Sequence, residues 1–152
     1  MRSRFPGPVF VAAALLLCPW LLCSCGGSST STGQLVSSWA STNSLSSDIA
    51  TIRTDAANVV RVEATQNPGA IRTDCAVLDL DTENANQTLP TPDHQLTVDL
   101  SDAYTAEIQA AQDCYHGADH NEELLQRGQI AQSAAFEDIT EALAYETQLT
   151  AK

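Results

Sequence analysis

The sequence predicts an all-α domain, an antiparallel up-down four-helix bundle. Three observations predict it. Apolar residues recur at steps of three and four along most of the chain, which places them on one face of a helix. Strong breakers at Asn67-Pro68-Gly69, Leu89-Pro90-Thr91-Pro92 and His116-Gly117 cut that pattern into helix-sized lengths. No stretch alternates apolar and polar residues for long enough to make a strand. Short turns between consecutive helices favour antiparallel neighbours.

The first helix is predicted as one long element, with Leu35, Trp39, Thr42, Leu45, Ile49, Ile52, Ala56 and Val59 forming its inner stripe. Asp48, Arg53, Asp55 and Arg61 fall on the opposite, solvated face. Serine and threonine are frequent in its early turns and lower the helix propensity there. Pro68 cannot continue the hydrogen-bond ladder, so the element stops at Asn67-Pro68-Gly69. A second helix carries Ile71, Cys75, Leu78, Thr82 and Ala85 on one side and fades beyond Glu83. Thr91 is placed to cap the third, with Pro92 as its first residue and Asp93 favoured by the N-terminal dipole. Leu96, Leu100, Tyr104, Ile108, Ala111 and Cys114 or Tyr115 mark its inner face, and Gly117 is placed to end it. The fourth opens at Asp119, with Glu122 in capping-box position. Leu125, Gln132, Phe136, Ile139, Leu143 and Glu146 trace its stripe, widened by Leu124, Ala131, Ala135 and Ala142.

The N-terminal segment reads differently. Arg2 and Arg4 precede an apolar run from Val9 to Leu17, interrupted at Cys18-Pro19-Trp20 and resumed at Leu21-Leu22. Such a run is short for a spanning helix, which needs ~20 apolar residues. It ends in Leu22-Cys23-Ser24-Cys25, which resembles a bacterial lipobox. The resemblance implies that residues 1–24 are a signal peptide and that Cys25 becomes the lipidated first residue, in a diacyl or triacyl form. Residues 25–33, rich in Gly, Ser and Thr, read as a flexible leash, and residues 34–152 as the bundle domain. An ordinary secretory signal cleaved near Ser24 is the competing expectation. The segments Leu89-Pro90-Thr91-Pro92-Asp93 and Ala110-Ala111-Gln112-Asp113-Cys114-Tyr115 are similar to those of small actinobacterial lipoproteins with a cysteine-bridged helical domain. That likeness carries no activity with it.

With Cys18 and Cys23 removed and Cys25 lipidated, as the resemblance implies, Cys75 and Cys114 remain. An even pair outside the cytoplasm reads as a disulfide, giving the bundle one covalent brace. The register is awkward: counted from Pro90, Cys114 lies farther away than Cys75 by about 9 residues, or ~14 Å of helix. Residues 83–95 are expected to absorb the difference by leaving the helix axis, because Asn84, Asn86 and Gln87 are weak helix formers.

The formal net charge is −12 at pH 7, and Lys152 is the only lysine. An acidic surface repels phosphate, which disfavours nucleic acid as a partner, and it gives anionic headgroups nothing to hold. The sharpest chemical grouping is His116, His120 and Glu123, since His-x-x-x-His on one helix can offer two imidazoles to a metal. Gly117 stands between the histidines and is expected to break that register. There is no Glu-x-x-His pair, no Gly-x-Ser-x-Gly elbow and no phosphate-binding glycine loop. Trp39, Tyr104, Tyr115, Phe136 and Tyr145 read as core aromatics, or alternatively as the lining of an inter-helix groove. The expectation is a non-enzymatic interaction or structural module on the extracytoplasmic face of the cell membrane, held by its N-terminal lipid, with no cofactor and a possible envelope protein partner. The alternative is an envelope carrier of a small ligand or metal, using an inter-helix groove or the His116/His120 region.

Overall fold

The computed structural model describes residues 30–151. Within them the chain forms a bundle of five helices and no strand: α1 Thr32–Thr42, α2 Leu45–Glu63, α3 Pro68–Asn86, α4 His94–Gly117 and α5 Glu122–Thr150. Cys25 and the expected signal peptide lie outside the described residues. None of the described helices is long and apolar enough to cross a membrane.

The expected single first helix is two. The Asn43 backbone N–H and side-chain amide both bond back to the carbonyl of Trp39, which closes α1. Ser44 then takes a left-handed backbone, φ 57°, and its carbonyl accepts from Ser47 and Asp48 to start α2. The break rephases the inner face. Val36 is buried in α1, while Leu35, the expected anchor, is exposed. Helix α1 also starts inside the expected leash: Ser31 caps Gln34 and Gln34 answers through its side chain, so Thr32 and Gly33 are helical.

Three other helix ends differ from the sequence expectation. Asn67 accepts from the N–H groups of Gly69 and Ala70, with Pro68 as the first residue of α3, where its missing N–H costs nothing. Asp93, rather than Thr91, caps α4 by accepting from Leu96. Thr91 instead bonds to Asp93 and Thr97 and fixes the preceding connection. Helix α5 is capped by Asn121 through Leu124, not by Asp119. Gly117 ends α4 as expected, but for a different reason. Among the described residues no glycine has a positive φ, and the space a Gly117 Cβ would take is 3.0 Å from Leu125.

Each helix from α2 to α5 packs against the next in sequence, while α1 lies against α5 and α2. The core runs through Ile49, Ile52 and Val59 of α2, Ile71 and Leu78 of α3, Leu96, Leu100 and Tyr104 of α4, and Ile139 and Ala142 of α5. Cys75 and Cys114 form a disulfide with their Cα atoms 6.0 Å apart. The non-helical connection between the two helices is confined to residues 87–93. Helix α3 persists to Asn86 and α4 already begins at His94, so the excursion is shorter than expected. The Trp39 indole N–H donates to the Thr88 carbonyl at 3.3 Å and ties α1 to this connection.

Candidate functional site

The disulfide lies beside a groove between α3 and α4. Between α3 and α4, Cys75, Ala76 and Asp79 face Ala111, Gln112, Tyr115 and His116 around a volume of about 300 Å³. Spacing of three and four on each helix puts these side chains in one trough. The sulfurs are held away from solvent, since Cys75 is fully buried and Cys114 nearly so. Tyr115 forms one wall, 40% exposed, and meets the His116 ring edge-on with centroids 5.5 Å apart. On its other side lies a shallower trough lined by Arg72, Thr73, Ala76, Val77 and Leu80. Val77 and Leu80 are exposed apolar residues, so the two troughs make one mixed surface about Tyr115.

Asp79 supplies the groove's negative charge. Burial and the neighbouring Glu83 push its carboxyl above the ordinary range, and Gln112 partly offsets them. One carboxylate oxygen is buried with no hydrogen-bond partner. Arg72 forms an ion pair with Asp119, linking the start of α3 to the α4–α5 turn at the rim.

The predicted metal set is not assembled here. His116 occupies the last turn of α4, His120 sits in the following turn with φ 66°, and Glu123 stands in the first turn of α5. The end of α4 at Gly117 thus removes the shared helical face that His-x-x-x-His requires. Among the described residues, no three His, Cys, Asp or Glu side chains come together to hold a metal ion. Of the aromatics, Tyr104 is core, Trp39, Phe136 and Tyr145 pack partly buried against it, and Tyr115 lines the groove.

Two buried acidic sites had no place in the sequence expectation. Asp55, expected on the solvated face of its helix, is buried and faces Asp81 across α2 and α3. Burial, with Asp81 and Asp74 nearby, raises its carboxyl to about 6. Glu107 lies wholly inside, on the α4 face that meets α5, and accepts from the Gln132 amide at 3.2 Å. The signal for the second site was present: Gln132 occupies a stripe position, and Glu107 falls one turn from both Ala103 and Ala111. Nearby, Arg127 grips Asp113 with two bonds of 2.5 and 2.6 Å and holds that carboxyl below its ordinary range. A third groove, between α4 and α5, is lined by Gln95, Asp99, Asp102, Asp138, Glu141 and Tyr145, with a volume of about 420 Å³.

Comparison with protein-family models, with curated proteins and with solved structures finds no match to this chain.

Proposed function

We propose that this chain is a lipid-anchored cell-envelope protein whose helical domain serves as a non-enzymatic interaction or structural module. The observation that carries the proposal is the Cys75–Cys114 disulfide, buried at the junction of α3 and α4. A disulfide of this kind belongs to an oxidising compartment. It accords with the lipobox-like Leu22-Cys23-Ser24-Cys25, which assigns Cys25 to the lipid and the rest of the chain to the extracytoplasmic face. The four longer helices are read as an up-down bundle, with α1 an accessory laid on α5. The interaction face is the surface about Tyr115, where Val77 and Leu80 are exposed beside Arg72.

A second reading has its own support. The trough beside the disulfide has room for a small ligand and combines an aromatic wall, an imidazole and a partly buried carboxylate. That favours an envelope carrier of a small molecule over a carrier of metal, since His116, His120 and Glu123 are not gathered.

Native mass spectrometry of the protein released gently from its own membranes tests both. The anchored module predicts Cys25 through Lys152, carrying acyl chains, two hydrogens light for the disulfide and free of other cargo. A reproducible small-molecule adduct supports the carrier. An unlipidated chain that begins elsewhere overturns the anchored address.

A further inference from the structure

Glu107 is the one acidic side chain with no exposure at all among the described residues. It sits on α4 in line with Leu100, Ala103, Ala110 and Cys114, all buried. Gln132 of α5 donates to Oε1, and Oε2 is buried with no partner. An ionised carboxylate in that setting keeps one hydrogen bond where water would supply several, and such a charge is costly to bury. A neutral carboxyl costs far less, with its proton on Oε2 while Oε1 still accepts from Gln132.

The surroundings give α4 and α5 little slack. Gly128, one turn before Gln132, has no side chain, and a Cβ there would lie 3.0 Å from the Ala110 carbonyl oxygen. Ala135, one turn from Gln132 on its other side, is fully buried. Small residues back the seam on either side of the half-buried Gln132, so hydrating an ionised Glu107 requires Gln132 to swing aside and the two helices to part there.

We propose that Glu107 and Gln132 form a proton-operated latch between α4 and α5: protonated, the pair closes the seam, and release of the proton to solvent opens it. Burial pushes the Glu107 carboxyl up to about 7, and the Gln132 hydrogen bond offsets only part of that rise. The groups facing it from other elements leave it to act alone. Gln132 on α5 is neutral, and Arg127 is committed to Asp113. Asp55 of α2 is coupled to Asp81 and Asp74 of α3, and none of them contributes to the shift at Glu107. Tyr104, one turn back on α4, is raised to about 12 and keeps its proton throughout the range. The latch therefore works within the span over which a typical carboxyl is already ionised.

Hydrogen exchange on the full chain, in detergent and corrected for the intrinsic pH dependence of exchange, tests it. Protection of amides in the middle of α5 should fall roughly tenfold to thirtyfold between pH 5.5 and pH 8.5. Glu107→Gln should hold that protection nearly level, and Asp55→Asn should leave the fall intact. Equal wild-type protection at both pH values overturns the latch, as does a Glu107→Gln variant that keeps the full fall. Carbon-13 titration of the Glu107 carboxyl in the unmodified chain gives a second measurement that needs no variant. A midpoint near 7 supports the proposal, and one near 4.5 overturns it.

Discussion

Helix α5 meets two neighbours in opposite ways. Against α4, on either side of Gln132, it presents Gly128 and Ala135, so the backbones approach closely at Gly128 and polar groups are drawn in with them. Against α2 two side-chain hydrogen bonds are spaced along the helix: Arg53 donates to Thr140 at 3.5 Å, and Gln129 donates to Glu63 at 2.7 Å. Beyond Arg53, toward the start of α2, lies an open trough of about 370 Å³ lined by Ser46, Ile49, Ala50, Arg53 and Leu143. The same helix therefore has one seam that closes tightly around Glu107 and Gly128 and one that stays open beside Leu143. Small residues make a seam tight but leave it little tolerance, because neither extra volume nor unpaired charge has anywhere to go.

The largest effect tests whether the tight seam stands without the covalent brace. Replacing both cysteines, Cys75→Ser with Cys114→Ser, should lower stability by about 3–4 kcal/mol, read by urea melts against the oxidised wild type. Exchange protection should then fall most in α3 and least between α4 and α5. Next, Gly128→Val puts branched atoms against the Ala110 carbonyl and should cost about 2–3 kcal/mol in the same melts.

A pH series separates the two buried acids. Both have folded-state values raised above those of an unfolded chain, so each favours the fold at low pH and loses that advantage as pH rises. For Asp55 the loss is complete above about 6, for Glu107 above about 7. At pH 8, Glu107→Gln should raise stability by about 2 kcal/mol, and Asp55→Asn by about 1 kcal/mol, because Asp55 lies nearer solvent. Neither gain should survive at pH 4.

The open seam should hardly respond. Leu143→Phe has room in the trough and is expected to change stability by less than about 1 kcal/mol in either direction. Arg53→Ala, which removes one long exposed hydrogen bond, should move the melting midpoint least of all, within about 0.5 kcal/mol.

The difference between the seams also marks how far the sequence could be read. Spacing of apolar residues located Ile49, Ile52, Leu78, Leu96, Leu100, Tyr104 and Ile139 in the core, because a helix with one wet face records that face in its composition. It placed Ile108 there too, yet Ile108 is only half-buried and Glu107 takes the interior. A reading that weighs residues by polarity passes over a carboxyl that an amide on another helix makes tolerable, although its spacing from Ala103 and Ala111 was in view. The division between α1 and α2 escaped for a local reason. Asn43 and Ser44 are ordinary residues inside a Ser/Thr-rich helix until hydrogen bonds to Trp39 and a left-handed backbone make them a corner. The disulfide partners were legible by counting, whereas the trough beside them depends on how α3 and α4 lie together, which no residue records alone.

The first and last helices touch where Gly33 rests on the Leu149 carbonyl. Helix α5 spans 29 residues, roughly 43 Å, so its opening turn beside His116 lies at the far pole. A dye or a capture surface attached at Thr32 or at Thr150 therefore sits at the same pole. An instrument that immobilises the protein by either of those residues offers the Tyr115 rim to whatever flows past.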